Sequence, residues 1–169
     1  SAAFFISAAC LKIGSKLKVK NILFNETRVG FIKTLKKMGG NIKIINIKKI
    51  HNELIADLEI EQKSKLKSTV LESEDIPLQV DEIPILSVVA SFAEGLTIFK
   101  GLKELTVKES NRLLLINENL KKIGVESKIK NYDLLIYGNS DLKRGAAFIK
   151  HKDDHRILMS FFIANMICK

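Results

Sequence analysis

The chain has 169 residues, 46% apolar and 28% charged, with a formal net charge of +9. That is enough for one domain with a proper core, or a large piece of something bigger, and the composition argues against disorder. No window approaches about eighteen uninterrupted apolar residues, so a transmembrane helix is excluded, and no signal peptide is evident.

In chain order, AAFFISAACLK (2–12) reads as a buried helix, followed by a Gly14-Ser15 turn and the alternating strand KLKVKNI (16–22). A helix is expected around 28–38, ending at Gly39-Gly40, then strands NIKIINI (41–47) and ELIADLEIE (53–61). After an irregular stretch, DEIPILSVVASFAEG (81–95) reads as a helix closed by Gly95, and LTIFKGL (96–102) as a strand. A helix is predicted over 106–123, closed by Gly124, with strands near 125–130 and 133–137 and an apolar helix over 155–169.

The same unit occurs twice: apolar helix, glycine, strand, amphipathic helix, glycine, two strands. FIKTLKKMGGNIKI (31–44) echoes NENLKKIGVESKI (117–129), and Gly14 and Gly95 occupy equivalent places. A third copy begins with HRILMSFFIANMICK. A repeat of this kind buries its faces against neighbouring copies. The expected units are therefore about 1–70, 71–145 and the start of a third over 146–169. The first lacks its leading strand and the last stops within a helix, so the sequence reads as part of a longer protein or the product of a truncated gene.

Three predicted helices open on ionisable clusters. These are Asp81-Glu82, then Lys108-Glu109 with Arg112, then Asp153-Asp154-His155-Arg156. Thr106 followed three residues later by Glu109 has the form of a capping box, which starts the helix at Thr106. Lys108 and Arg112 then fall one turn apart at the end where the helix dipole opposes cations. If the repeats pack with one symmetry, these starts gather at one end of the domain. Helix N-termini together with Lys108, Arg112 and Arg156 suit a strongly anionic ligand such as a phosphate or carboxylate. Each residue also has a plainer reading: Asp81, Asp153, Asp154 and Glu109 as helix-capping acids, His155 as a structural histidine.

Other chemistries find little support. GxGxxG, GxxxxGK[ST] and GxSxG are absent, and no His/Cys/Asp spacing supports a metal. Cys10 and Cys168 each sit in an apolar helical run and read as buried thiols of a reducing compartment. Of 28 basic residues only Arg28, Arg112, Arg144 and Arg156 are arginines, and the lysines are scattered as on a solvated surface. With 7% aromatic residues and no Trp, no base-stacking platform is evident, and neither nucleic acid nor membrane is an expected partner.

The segments VDEIPILSVVASFAEG, GLKELTVKESNRL and HKDDHRILMSF, in that order and spacing, resemble the C-terminal domain of the EPSP synthase (3-phosphoshikimate 1-carboxyvinyltransferase) family. SAAFFISAACLKIGSKLKVKNILFNETRVGFIKTLKKMGGNI resembles the earlier part of the same domain. The related UDP-N-acetylglucosamine enolpyruvyl transferases share the repeat fold but are not expected to combine K-E-S-x-R with D-H-R. The resemblance implies an α/β (α+β) fold of repeated βαβαββ units around a pseudo-threefold axis, an enolpyruvyl-transferase-like inside-out α/β barrel with an incomplete third unit. It implies that the N-terminal domain is absent, that the ligands are shikimate 3-phosphate and phosphoenolpyruvate, that no cofactor is needed, and that the location is cytoplasmic. By the same likeness Asp81 is the base on the shikimate hydroxyl, and Lys108 bridges the two substrates and helps bind shikimate 3-phosphate. Glu109 serves proton transfer at the enolpyruvyl methylene, Arg112 and Arg156 hold phosphoenolpyruvate, and His155 supports that arginine. Asn111 departs from the Asp usual in that motif, a hint of relaxed constraint that, with the truncated ends, leaves a non-catalytic remnant as the alternative.

Overall fold

A computed structural model describes residues 2–24, 30–140 and 147–168. Three apolar helices lie at its centre: α1 (Ala2–Leu11), α3 (Ile83–Phe92) and α5 (His155–Ile167). Each packs on the other two. In α3, apolar on nearly every face, every residue from Ile83 to Ser91 is buried, whereas α5 leaves Leu158, Met159, Phe162 and Met166 exposed and α1 leaves Phe5 exposed. The amphipathic α2 (Gly30–Lys37) and α4 (Arg112–Lys122) carry one apolar face and end on lysine pairs, Lys36-Lys37 and Lys121-Lys122, favourable beside the helix C-terminus.

Two sheets cover this centre. In the first, β3 (Glu53–Glu61) lies between β1 (Lys16–Leu23) and β2 (Ile42–Ile50), antiparallel to both. The second has the order β4-β5-β7-β6, with β4 (Val70–Leu71) parallel to β5 (Gly95–Phe99), and β7 (Asp133–Gly138) antiparallel to β5 and β6 (Ser127–Lys130). The second unit thus runs β4–α3–β5–α4–β6–β7, a βαβαββ unit, and the first repeats it from α1 onward. Even the hairpins match. His51-Asn52 and Asn131-Tyr132 are two-residue turns with both φ positive, the twist that suits antiparallel strands. Gly14, Gly39, Gly95 and Gly124 all take positive φ at or just after the helix ends, where a side chain would be strained.

Several boundaries differ from the sequence expectation. The irregular stretch before residue 81 contains β4, too short to show a period, and α3 stops at Phe92 because Gly95 already opens β5. The largest difference is at residues 106–111. Thr106 closes a 3-10 turn (Leu102–Thr106), its hydroxyl donating to the Lys103 carbonyl at 2.7 Å, and no capping box forms. The helix begins six residues later, with Asn111 as its cap: Asn111 Oδ1 accepts from Leu114 N at 3.0 Å. Lys108 and Glu109 therefore belong to a loop that crosses the helix starts, not to a first turn. Cys10 is buried, which pushes its thiol pKa up to about 12, whereas Cys168, just past α5, is only half-buried.

Candidate active site

The starts of the helices converge. Asp154 is the N-cap of α5, and its Oδ1 accepts from the backbone N–H of Arg156 (3.0 Å) and Ile157 (3.3 Å). Its other oxygen accepts from Arg112 Nε at 2.8 Å and Ser110 Oγ at 2.9 Å. Both Asp154 (0% exposed) and Arg112 (2%) are buried, so each charge depends on the other. Burial works against the Asp154 carboxylate, but the Arg112 and Ser110 hydrogen bonds outweigh it and hold its pKa below the ordinary aspartate value. The Arg112 pKa is raised on the same balance: burial opposes the charge, and Asp154 and then Asp81 overcome it.

From this anchor the guanidinium reaches outward. Arg112 Nη1 donates to Asp81 Oδ1 at 3.1 Å, and Nη2 lies 3.5 Å from Glu109 Oε2. Arg156 closes on the same aspartate, with Nη2 3.1 Å from Asp81 Oδ2 and Nη1 donating to the Asp81 carbonyl at 3.3 Å. Asp81 is thus gripped by two arginines from different helices, its side chain still 44% exposed. His155 Nδ1 stands 3.5 Å from Glu109 Oε2. Beside this network opens a groove of about 580 Å³, lined by Asp81, Glu82 and Arg156 together with Ala2 of α1 and Ile22 and Phe24 at the end of β1. Residues of α1, of α5 and of the 3-10 turn leading into α3 all contribute to it.

Asp81, Glu109, Arg112, His155 and Arg156 therefore come together, while Lys108 does not join them: its ammonium pairs with Glu104. His155 adjoins Glu109 rather than the Arg156 guanidinium. Sequence reasoning weighed Asp154 only as a capping acid. It is that, and its second oxygen is also the hub of the site. The doublet Asp153-Asp154 cannot show which aspartate turns inward; Asp153, at φ 61, lies outside the helix. Two further supports need the fold to be seen. On α2, Thr34 Oγ1 donates to Gln79 Oε1 at 2.8 Å, both buried, and Gln79 leads into the turn carrying Asp81. At the corresponding place on α4, Asn119 exchanges hydrogen bonds with the Lys150 backbone (2.8 and 3.0 Å) ahead of Asp154.

Among the described residues Glu109, Asp154 and His155 bring possible metal-ligating atoms within 4.8 Å of one another. Asp154 is already saturated by four donors and Arg112 lies against it, so a cation would meet a fixed positive charge there. Asn111 loses its anomaly as well, since Asn and Asp cap a helix about equally well.

Repeated βαβαββ units, with helix starts gathered on one arginine–carboxylate groove, define an enolpyruvyl-transferase-type α/β fold. The enolpyruvyl transferase NikO from Streptomyces tendae superposes with a TM-score of 0.62 over 98% of this chain at 13% identity, a likeness of fold alone. The chain belongs to the EPSP synthase (3-phosphoshikimate 1-carboxyvinyltransferase) family, whose sequence model matches residues 1–169. The 3-phosphoshikimate 1-carboxyvinyltransferases of Persephonella marina and Petrotoga mobilis are 43% and 44% identical to it over 167 residues, 99% of the chain. EPSP synthase from Acinetobacter baumannii superposes with a TM-score of 0.91 at 33% identity, covering 98% of this chain and 38% of that one. The chain likewise spans 38% of the length of the Persephonella and Petrotoga relatives. Among the described residues no helix is long and apolar enough to cross a membrane.

Proposed function

We propose that residues 1–169 form most of the C-terminal domain of a 3-phosphoshikimate 1-carboxyvinyltransferase. It transfers the enolpyruvyl group of phosphoenolpyruvate to the 5-hydroxyl of shikimate 3-phosphate, in company with an N-terminal domain and a final segment outside these residues. The observation that carries this reading is the double grip of Arg112 and Arg156 on the Asp81 carboxylate at the groove. Two guanidiniums held on one carboxylate can be drawn off by a ligand of higher charge that carries phosphate and carboxylate together, to which they offer paired N–H groups. Substrate binding would then do two things at once. The arginines fix phosphoenolpyruvate, and Asp81 is released to act on the acceptor hydroxyl.

In the addition step the hydroxyl oxygen bonds to C2 of phosphoenolpyruvate as its proton passes to Asp81, and C3 takes a proton from Glu109. In the elimination step the bond from C2 to the phosphate oxygen breaks, C3 returns its proton to Glu109, and the departing phosphate takes the proton held by Asp81, leaving the enol ether and inorganic phosphate. Arg112 and Arg156 stabilise the phosphate as charge gathers on it. His155, beside Glu109, is the group able to exchange a proton with it. Lys108 reaches substrate by giving up Glu104, a partly exposed pair of small intrinsic worth.

The test places residues 1–169 in the frame of the Persephonella marina relative and measures phosphate release from the two substrates. Turnover is expected, and Asp81→Ala should lower it by about 10²–10⁴-fold while cooperative unfolding is kept. A folded chimera that binds both anions yet releases no phosphate would establish a non-catalytic remnant instead.

A further inference from the structure

The sheet that borders the groove carries a device outside the charged network. Between Val19↔Leu58 and Ile22↔Ala56, β1 advances three residues while β3 advances two. Between Ile45↔Asp57 and Lys48↔Ile55, β2 does the same. Each flanking strand therefore holds one extra residue, β1 opposite Asp57 and β2 opposite the adjacent Ala56 of β3. Asn21 and Asn46 sit in these bulges at φ 55 and 53, conformations that Asn tolerates better than most side chains. One residue serves both. Asp57 Oδ1 accepts from the Asn21 backbone N–H and Oδ2 from Asn46 Nδ2, each at 2.9 Å. Those two bonds, the Asn46 one foremost, together with the nearby Lys18 and Lys20, hold its carboxyl below the ordinary range.

The bulge in β1 has a consequence for the groove. Before it, Leu17 and Val19 turn inward and Lys16, Lys18 and Lys20 outward. Lys20 and Asn21 then both face out, and the alternation resumes one step later, with Ile22 and Phe24 inward. A strand has a period of two, so without the extra residue Ile22 and Phe24 would face solvent and Asn21 and Leu23 the core. Ile22 and Phe24, together with Leu23 between them, line the groove with Asp81 and Arg156.

We propose that Asp57 is a positioning residue for this groove: by tying the paired bulges of β1 and β2 to β3 it sets the phase of β1, and so the apolar wall facing Asp81 and Arg156. The inference rests on the proposed function only for its kinetic readout. In the chimera, Asp57→Ala should raise KM for the substrates about ten- to hundredfold with kcat changed less than about threefold. Asp57→Asn, which still accepts from Asn21 and can donate to a turned Asn46 amide, should restore KM. Should Asp57→Ala not fold, Asn46→Gly keeps the positive φ and removes one of the two anchoring bonds, and a smaller rise in KM is expected. An unchanged KM in a folded variant, or a loss confined to the amount of active protein, overturns the proposal. If the unaltered chimera shows no turnover, the reaction fails and this inference does not. The position of Phe24 in a crystal structure of the Asp57→Ala chimera then decides, and a Phe24 still lining the groove refutes it.

Discussion

The starts of α3 and α5 are built from similar acidic sequences and do opposite work. At α5, Asp154 is sealed from solvent and satisfied by two backbone N–H groups, a serine and an arginine. At α3, Glu82 sits at the N-cap with no side-chain cap bond, and Asp81 remains substantially exposed, held by side chains that could exchange partners. One helix start is an anchor and the other is available to a ligand. A site that must release its groups during a reaction needs something that does not move to hold them from behind, and Arg112 transmits the hold from one start to the other.

That contrast is open to attack, most forcefully at Asp154. Asp154→Ala removes the buried partner of Arg112 and leaves it only the partly exposed Asp81 and Glu109, and a loss of about 3–5 kcal/mol is expected in denaturant titrations. Asp81→Ala, whose pairs are partly exposed, should cost at most about 1 kcal/mol in the same assay. Equal losses would abolish the distinction. Acid sharpens it. The Asp154 pKa is lowered in the folded state, so its contribution is fully present above the ordinary aspartate pKa of about 4 and is lost as pH falls through the lowered value. Asp154→Asn should flatten that acid limb in a pH series of unfolding midpoints, whereas a limb of unchanged slope would remove Asp154 as its source. Next in size, Thr34→Val leaves the buried Gln79 carbonyl without its donor and should cost about 1–3 kcal/mol, read from the shift in denaturation midpoint. The smallest effects belong to Asn111. Alanine there should cost about 1 kcal/mol and aspartate only a few tenths, by thermal or chemical melting.

What could be read ahead of the structure followed from local chemistry. Gly14, Gly39 and Gly124 follow helix ends, and Gly95 opens the strand after one, in backbone conformations that exclude most side chains, and that constraint is written in the residue itself. The apolar character of α1, α3 and α5 likewise announces a buried centre, and the paired repeats announce the unit. Thr106 misled because a threonine three residues ahead of a glutamate fits two turns equally well, and the hydroxyl found the Lys103 carbonyl first. Asn111, read as a hint of relaxed constraint, is the cap of α4. The roles of Asp154, Gln79 and Asp57 were illegible because each depends on a partner at least 36 residues away. Asn21 and Asn46, each interrupting a run of strand formers, were the available clue to the bulges. The meeting of Asp81, Arg112 and Arg156 was foreseen through the repeat; the pairing of Lys108 with Glu104 was not, because Lys108 lies in the loop before α4 and not in its first turn.

The connections through Arg112 join positions 31 and 42 residues apart, and that between Arg156 and Asp81 spans 75. Contacts of such range form only after the intervening chain has been closed into loops, among the slower events of folding. A polypeptide with both sheets made but its final helix undocked would have good secondary structure and nothing to hold an acid metabolite. An anionic ligand that recognised only the finished arrangement would pull the equilibrium toward it, and final docking of the chain would then be coupled to binding.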